Sequence, residues 1–482
     1  MTSSRRDGRG KVIVDSIHGD IHLKQREVRV IDTGSFQRLR RLKQLAMAQM
    51  VYPTATVTRF AHSIGALGTM IRILRAAEDN GITFKEDLVD NLRLAALLHD
   101  VGHYPYSHLM EGVDWVELTE DRVKEAGKAK RPLDASRKPY PEHEEVGKLI
   151  VMSQKDLVEA VGGEDQAEAI ADIFTRSEAA DPQLSKLIHS SFDIDRWDYL
   201  LRDSYATGVP YGQIDINYLL NNLKVSKEGI VGFKDKALPA LEHFLLARFF
   251  MYRVVYYHKT TYGLEEACRQ LLRRLRDHGD ETYGVPIDGE EINRIVTSEK
   301  LSEFTDGFVD DIVRKAVNDR DGIIKSLARS IQNRRPPVLL KEVPICEQIG
   351  QQYHAGSAFM QNCIAKLGDL ADDFKIPLGQ FLLCDPKATI VKRPGKKTYS
   401  QLAKMSQEEI RKVASEEEEE DIKVFRPGED EPVSLLEEAH SLVAKYADYS
   451  LQFFRLYVVY EGSDKEEVIG RLKEKVRDWD KL

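Results

Sequence analysis

The chain has 482 residues, 42% of them hydrophobic, and a formal net charge of −9. This length predicts two or three structural units, and the acidic balance argues against duplex nucleic acid as a partner. No apolar run approaches the roughly 20 residues that a membrane span needs, and the polar first residues are unlike a secretory signal. The four cysteines have no CxxC spacing, which is typical of reduced thiols. We therefore expect a cytoplasmic protein with no membrane partner.

In chain order, the predicted elements are mostly helices. Alternation and turn residues predict a hairpin over 11–29, and apolar residues spaced by three predict an amphipathic helix over 35–50. Further helices are predicted over 62–80, 85–101, 143–153, 155–161, 183–204 and 237–277. The charged segment 114–141 contains prolines and is predicted to be an exposed insertion, and strands are predicted over 223–233, 381–393 and 452–460. The fold class is therefore mainly α with small β additions.

Composition divides the chain into three parts. Residues 1–10 are predicted to be a flexible N-terminal tail, and residues 11–278 a helical core that carries the motifs. From 279 to 482 charged residues dominate, and this part is predicted to be a mixed α/β region for regulation or oligomerisation. Its acidic run, 416–421, is typical of a solvated loop.

A candidate metal site begins at the dipeptide His99-Asp100, which follows an apolar helical segment. An imidazole beside a carboxylate supplies half of a divalent metal site, and His62 and Asp195 are available to complete it. Two imidazoles with two carboxylates suit Fe, Mn, Zn or Ni by ligand hardness, and Mg less naturally.

More histidines surround this dipeptide. Five of the thirteen histidines fall between His62 and His143, and His99 and His103 are one helical turn apart. Glu111 follows His108 by three residues and is placed to orient it. A histidine with a pKa near neutrality can protonate a leaving oxygen.

The segment after Asp195 is predicted to present one polar helical stripe, where a phenol and a carboxylate can hold a sugar. Its members are Asp195, Asp198, Tyr199, Arg202 and Asp203. Cationic groups for a phosphorylated substrate are available at Arg59, Arg196, Arg248 and Lys259. A metal site together with arginines and histidines can catalyse the hydrolysis of a phosphate ester or anhydride.

The pattern His62, His99-Asp100, Asp195 resembles the HD-domain superfamily of metal-dependent phosphohydrolases. Over residues 11–259 the chain is similar to its deoxynucleoside triphosphate (dNTP) triphosphohydrolases, in the branch of the human enzyme with SAM and HD domains. The motifs that carry this resemblance are 31–33, 36–40, 43–45, 59–65, 97–108, 193–203 and the segment 248–259. Three positions depart from the pattern, since Ala61 replaces an acid, Arg196 a lysine and Val14 an asparagine, and no SAM domain is present.

The resemblance implies cleavage of a dNTP into a deoxynucleoside and intact triphosphate. It assigns the metal to His62, His99, Asp100 and Asp195. It implies that His108, paired with Glu111, is the general acid and that His103 and His143 contact phosphates and the attacking water. The implied substrate contacts are Gln44 and Leu45 against the deoxyribose, Tyr199 and Asp203 on the sugar, Arg59, Arg196 and Arg248 at the phosphates, and Tyr256 near the sugar or base.

The resemblance also implies a GTP- or dNTP-activated homotetramer with nucleotides bound at subunit interfaces. Lys11, Val12, Asp32, Gln37 and Arg40 match a guanine-nucleotide activator site. Lys234, Lys236, His258 and Lys259 match groups that hold activator phosphates. An alternative for Asp32 and Arg40 is a structural ion pair.

Two other functions remain open on the residues alone. One is an HD phosphohydrolase acting on another nucleotide or on a single-stranded nucleic acid end, and the other is a nucleotide-sensing scaffold with little catalysis. The identity of the metal, among Fe, Mn, Mg, Zn and Ni, and the base preference stay open as well.

Overall fold

The structure is a computed structural model of the chain. It describes residues 10–81, 84–115, 138–175, 193–226, 230–278, 282–348, 354–390, 422–438, 440–447 and 449–481. The predicted tail 1–9, most of the predicted insertion 114–141 and the acidic run 416–421 lie outside these residues. The fold is mainly α with small sheets, as the sequence predicted.

The described chain begins with a hairpin of β1 (Val12–Asp15) and β2 (Gly19–His22), followed by helix α1 (Gln25–Ile31) and the short α2 (Gly34–Gln37). The predicted hairpin was therefore too long. The helix predicted over 35–50 was wrong, since after a 3₁₀ turn at Arg38–Arg41 the chain extends at Leu42. The reason is that Arg38, one of the basic residues between the leucines, is buried and donates to backbone carbonyls of other segments.

A bundle of helices forms the first half of the molecule. Its members are α3 (Arg59–Asp79), α4 (Glu86–Leu98), α5 (His108–Glu111), α6 (His143–Ser153), α7 (Lys155–Val161) and α8 (Glu164–Thr175). Helix α3 packs on α4 and on α9 (Ile194–Thr207), which brings the segments around His62, His99 and Asp195 together. The helix predicted over 183–204 is confirmed from residue 194 onward, and residues 183–192 lie outside the described residues.

The following segment contains α10 (Ile216–Asn221), β3 (Leu223–Val225), β4 (Val231–Lys234), α11 (Leu238–Met251) and α12 (Lys259–His278). The single helix predicted over 237–277 is thus interrupted, by a π-turn at Tyr252–Tyr256. Such π-turns are frequent at functional sites, and this one turns a tyrosine-rich stretch toward the site described below.

The C-terminal part contains α13 (Gly289–Val296), α14 (Asp306–Ala316), α15 (Gly322–Gln332), α16 (His354–Phe374), α17 (Leu442–Tyr446) and α18 (Lys465–Val476). Its strands are β5 (Val338–Gln348), β6 (Phe381–Cys384), β7 (Lys387–Thr389), β8 (Lys423–Phe425), β9 (Val433–Ser434) and β10 (Tyr449–Val458). Strand β10 pairs antiparallel with β5, β6 and β7, and β8 joins β4 in parallel.

The main hydrophobic core does not stop at residue 278, where the predicted core ends. Ile292, Val309 and Leu327 are buried in the same cluster as the bundle helices, and so are Val424 and Tyr457. A second cluster lies between α16, α18 and the β10 sheet. Part of the predicted C-terminal region is therefore built into the core that carries the site.

Among the described residues, no helix is both long and apolar enough to cross a membrane. All four cysteines are free thiols, and Cys268, Cys363 and Cys384 are buried while Cys346 is exposed. Burial raises the pKa of the Cys268 thiol, so it stays protonated near neutrality.

Candidate active site

Four predicted metal ligands converge where α3, α4 and α9 meet. The Nε2 of His62 lies 2.9 Å from Oδ1 of Asp195 and 3.4 Å from Oδ2 of Asp100, and Nε2 of His99 lies 3.4 Å from Oδ1 of Asp100 and 3.8 Å from Oδ1 of Asp195. Both Nε2 atoms are buried, and among the described residues neither has a hydrogen-bond partner. Ligand atoms of His62, His99 and Asp100 lie within 4.8 Å of one another. Two buried imidazole nitrogens that have no hydrogen-bond donor and that face two carboxylates fit a site for a divalent cation.

The other ring nitrogen of each histidine is held by a neighbour. Nδ1 of His62 lies 2.7 Å from Oδ2 of Asp198, and Nδ1 of His99 lies 2.8 Å from the carbonyl of Ala96. Because these acceptors keep the proton on Nδ1, the Nε2 lone pairs point toward the carboxylates. Metal-binding histidines commonly have such support.

Asp198 is a second buried centre behind the metal ligands. Its carboxylate also accepts from Nε2 of His18 at 2.7 Å and from Nε and Nη2 of Arg202 at 2.8 Å each. Arg202 in turn lies 3.0 Å from Oδ2 of Asp15 in the hairpin. From their spacing, Asp198 and Arg202 were predicted only as members of a polar stripe, and His18 was not predicted to take part. The spacing of Asp195 and Asp198 was the one signal that could have indicated the support of His62.

Without a cation, the carboxylates dominate the electrostatics of these histidines. Burial lowers the pKa of His62, but its close contacts with the carboxylates of Asp195 and Asp198 outweigh burial and raise the pKa to about 10. Burial disfavours the charged form of Asp100, yet Arg59 and the histidines hold its pKa well below the usual range. A cation entering this site would therefore displace a proton from His62.

The three predicted catalytic histidines lie together beside the metal ligands. The rings of His103 and His143 stack at 4.0 Å, and His108 meets both edge to face at 5.0 and 5.2 Å. Glu111 is buried below them and accepts from Nδ1 of His108 at 2.6 Å and from Nδ1 of His143 at 3.0 Å. Nε2 of His103 lies 3.0 Å from Oδ1 of Asp100, which connects this group to the metal ligands.

These histidines differ in protonation. Burial together with the charges of Arg59 and His143 holds the pKa of His103 well below its usual range. Burial opposes the charge on His143, but the hydrogen bond to Glu111 outweighs it and raises the pKa to about 9. Because of these two bonds, the pKa of Glu111 is lowered despite its burial. Near neutrality His103 is thus neutral and His143 is an imidazolium.

Two residues from outside the histidine group hold its loops. Arg38 donates Nη1 to the carbonyl of Val101 at 2.9 Å and Nε to the carbonyl of Phe304 at 2.8 Å. Asp306, at the start of α14, accepts from the backbone N–H of Tyr106 at 2.7 Å and of Lys43 at 2.9 Å. Tyr106 has φ of +54°, so this bond stabilises a strained backbone just before His108.

A cavity of about 560 Å³ opens beside the metal ligands. All the predicted substrate contacts except Arg248 line it, namely Gln44, Leu45, Arg59, Arg196, Tyr199, Asp203 and Tyr256, and so do the catalytic His103, His108 and His143. The hydroxyl of Tyr256 donates to Oδ2 of Asp203 at 2.8 Å, and burial raises the pKa of Asp203 to about 7. Arg59 also donates to Asp100 at 2.7 Å, so it supports a metal ligand as well as facing the cavity.

Arg248 is buried and does not line the cavity. Its guanidinium carbon lies 5.4 Å from the ring centre of Tyr252, which does line the cavity. Its Nε and Nη1 have no hydrogen-bond partner among the described residues.

A further part of the cavity, which we call the α12 wall, was not predicted from the sequence. It comprises Thr261, Tyr262, Glu265, Glu266 and Arg269 of α12 with Leu383, Cys384 and Asp385 at the end of β6.

The predicted activator residues form two groups. In the first, Nζ of Lys11 lies 3.4 Å from Oδ2 of Asp32, and Nε of Arg40 donates to Oε1 of Gln37 at 2.7 Å. The alternative ion pair between Asp32 and Arg40 was therefore wrong, because Arg40 instead stacks over Phe60 at 3.5 Å. Val12 of this group is half exposed.

The second group lies around the start of α11 and of α12. Lys236 and Lys259 are exposed, Lys234 is half-buried, and the half-buried His258 packs edge to face on Tyr52 at 5.7 Å. Burial lowers the pKa of His258. Within the described residues, no side-chain hydrogen bond, ion pair or ring contact joins these four residues to the first group.

Comparison with protein families agrees with this geometry. Residues 59–203 match the HD domain, and residues 214–335 match the HD associated region. The first match begins three residues before His62 and ends at Asp203, so it contains every proposed metal ligand. The second match crosses residue 278, as the hydrophobic core does.

Among known proteins, the chain is 34% identical to an uncharacterized protein of Methanocaldococcus jannaschii. The aligned segment of 255 residues covers 52% of this chain and 46% of that relative. It is 28% identical over 298 residues to the deoxynucleoside triphosphate triphosphohydrolase SAMHD1 of Danio rerio, covering 56% of this chain and 45% of that enzyme. The chain thus spans about half the length of these two relatives. A solved phosphohydrolase from Bacteroides thetaiotaomicron shares the fold, with a TM-score of 0.67 at 21% identity over 93% of this chain and 99% of that one. The chain therefore contains a match to the HD domain over residues 59–203, followed by a match to the HD associated region over residues 214–335.

Proposed function

We propose that this protein is a metal-dependent phosphohydrolase that cleaves dNTPs into deoxynucleoside and inorganic triphosphate. The observation that carries the proposal is the convergence of His62, His99, Asp100 and Asp195 at a cavity that also contains sugar- and phosphate-binding groups. The similarity to enzymes named deoxynucleoside triphosphate triphosphohydrolase supports the choice of substrate.

His62, His99, Asp100 and Asp195 would hold the cation, which is Fe, Mn, Mg, Zn or Ni. When bound, a divalent cation polarises a phosphoryl oxygen and supplies a nucleophilic water near neutral pH. Asp198 and the carbonyl of Ala96 keep the two imidazoles in the tautomer that can ligate. Asp100 is additionally held by Arg59 at 2.7 Å.

Water adds to the α-phosphorus, and the bond from that phosphorus to the 5′ oxygen breaks. His108 is placed to give the 5′ oxygen a proton, because Glu111 holds its Nδ1 while the rest of the side chain is 61% exposed toward the cavity and solvent. The charge of Arg196 and the imidazolium of His143 would neutralise phosphate oxygens. His103, which is neutral, would contact the attacking water.

The sugar would lie against Gln44 and Leu45, next to Tyr199, Asp203 and Tyr256. Leu45 packs with Ala48 and Ala55 in a small apolar cluster that Tyr256 also contacts. An apolar surface there would leave a ribose 2′ hydroxyl without a partner, which favours a deoxyribose.

We also propose regulation through assembly. Lys11, Val12, Asp32, Gln37 and Arg40 would bind a guanine nucleotide, and Lys234, Lys236, His258 and Lys259 would hold activator phosphates in a homotetramer. The exposed Lys11–Asp32 pair supports this, because such a pair contributes little to stability and is available to a ligand. Residues 11–278 would act as the catalytic core and 279–482 as the regulatory and assembly region.

A second candidate substrate is a single-stranded nucleic acid end. It is favoured by a run of tyrosines along the cavity, since aromatic rings are the surfaces on which unpaired bases stack. A dNTP has only one base to stack on these tyrosines, whereas a strand end has several.

The test is a substrate panel with the metal-reconstituted protein. Each dNTP, a ribonucleoside triphosphate, a deoxynucleoside monophosphate and a single-stranded oligonucleotide would be incubated with and without GTP, and the products separated by ion-exchange chromatography. We expect deoxynucleoside and triphosphate from dNTPs, with GTP raising the rate. Cleavage of only the monophosphate or the oligonucleotide would reject the dNTP assignment, and full rates without GTP would reject the activator.

A further inference from the structure

Five tyrosines form a continuous series along the cavity, and we call them the tyrosine series. Tyr199 lies 6.1 Å from Tyr256, Tyr256 lies 4.8 Å from Tyr252, Tyr252 lies 5.4 Å from Tyr257, and Tyr257 lies 5.8 Å from Tyr262, all between ring centres. Every member lines the cavity. Since Tyr199 is on the helix of Asp195 and Tyr262 is on α12, the series leads from the metal ligands to the α12 wall.

The α12 wall is polar, although it is largely closed to solvent. Thr261 is 1% exposed and lines the cavity, and its hydroxyl has no hydrogen-bond partner in the part of the chain that the structure describes. Glu265 lines the cavity one turn further along the helix, and its carboxyl meets the backbone N–H of Met47. An unpartnered hydroxyl at this depth costs free energy unless a ligand satisfies it.

The three carboxylates of the wall differ in what they already bind. Glu266 is paired with Arg269, and Asp385 accepts from Nε2 of Gln452 at 2.8 Å. Glu265 bonds to one backbone N–H, while a carboxylate can accept about four hydrogen bonds. Glu265 is therefore the acid of this wall with acceptor capacity for a ligand.

We propose that the tyrosine series and the α12 wall form a nucleobase subsite, in which Glu265 selects bases that carry an exocyclic amino group. This rests on the proposed function, since it assigns the base of that substrate. A base would stack on the tyrosines, which tolerates any base, and Glu265 would accept from the amino group of cytosine or adenine.

The chemistry of the bases makes the proposal specific. Cytosine and uracil have the same shape, but cytosine has an amino group where uracil has a carbonyl oxygen. Burial raises the pKa of Glu265 to about 7, so its side chain is an ionised carboxylate above roughly pH 8, where it accepts from the first and repels the second. Glu265→Gln places both a donor and an acceptor at this position, so it would serve either base.

The experiment is run at roughly pH 8.5, where Glu265 is ionised, and compares deoxycytidine and deoxyuridine binding by calorimetry, and dCTP and dUTP turnover by kcat/KM. We expect the wild type to prefer the cytosine ligand by roughly 10-fold or more in both measurements. Glu265→Gln should bring both ratios to within about 3-fold of unity. The matched control is Glu168→Gln on the exposed face of α8, which should leave the ratios unchanged.

The nucleoside arm separates the two proposals. If the wild type hydrolyses no dNTP but binds deoxycytidine preferentially and loses that preference in Glu265→Gln, the proposed substrate fails and the subsite stands. Equal wild-type binding of the two nucleosides overturns the subsite whether or not dNTPs are cleaved. A preference that persists in a Glu265→Gln protein with the circular dichroism spectrum of the wild type overturns the role of Glu265.

Discussion

Nδ1 of His62 lies 2.7 Å from Oδ2 of Asp198, while Nε2 of the same ring lies 2.9 Å from Oδ1 of Asp195. One imidazole is therefore held between a supporting carboxylate and a ligating carboxylate. Because Asp198 is fully buried and also binds Arg202 and His18, it fixes the ring against α3, α9 and the hairpin together. The contribution of Asp198 to metal affinity should therefore be measurable separately from the contributions of the four ligands.

Asp198→Asn tests that support. We expect its metal affinity to fall roughly 10- to 100-fold, because the weaker acceptor no longer fixes the tautomer of His62. Competition with a chelator, read by elemental analysis, measures this. A variant that keeps the wild-type chelator resistance would contradict the role of Asp198.

Asp195→Ala tests the ligand set. Asp195 is at the cavity with its side chain 33% exposed, so its loss should remove metal and activity together while the fold persists. Metal content and circular dichroism of the purified variant check both parts. Full metal occupancy in Asp195→Ala would refute the assignment of this ligand.

His108→Ala tests the proton donor. His108 bonds to Glu111 and to none of the four ligands, so the variant should keep its metal and lose turnover by roughly 10²- to 10⁴-fold. Steady-state rates on the best dNTP are compared at equal metal content. An unchanged rate would show that another group protonates the leaving oxygen.

The pH dependence of the protein's melting temperature tests the buried environment of Glu265. Burial raises the pKa of Glu265 to about 7 from an ordinary value near 4.5, so the folded state binds its proton more tightly than the unfolded state does. The stability cost of this group is absent below pH ~4.5 and grows as pH rises toward 7. Glu265→Gln should therefore melt at a higher temperature than the wild type at pH 8, with the difference shrinking at pH 5. A difference that grows toward low pH would contradict this environment.

Asp32→Ala tests the activator site. We expect a weaker response to GTP and an unchanged metal content, since Asp32 contacts Lys11 and lies outside the cavity. The GTP concentration for half-maximal rate is the measurement. The same GTP dependence as in the wild type would leave Asp32 without a regulatory role.

Local patterns in the sequence were enough to predict the elements that carry the metal ligands. The predicted bounds 143–153 and 155–161 agree with α6 and α7, and α3 lies within three residues of its prediction. The ligands His62, His99 and Asp100 come together as predicted, because helical periodicity and the apolar faces of α3 and α4 determine how these helices pack.

Long-range contacts are what the sequence could not indicate. Arg38 looks like a surface cation between leucines, yet it is buried because carbonyls 63 and 266 residues away receive its guanidinium. The α12 wall was missed for a similar reason, since only the folded chain brings Glu265 to the same cavity as His99. The strand β5 and helices α13–α16 were not predicted, although α13 and α15 do bury apolar residues at helical spacing, as at Ile292 and Val296 of α13, so the signal for these helices was present in the sequence.

The most direct test of the central claim is ³¹P nuclear magnetic resonance of a dNTP incubated with the metal-loaded protein, beside Asp195→Ala as the control. We predict that wild-type protein produces the resonances of free inorganic triphosphate and no pyrophosphate, while Asp195→Ala leaves the dNTP intact. Pyrophosphate or monophosphate as the first product, or equal turnover by Asp195→Ala, would contradict cleavage at the 5′ oxygen by this metal site.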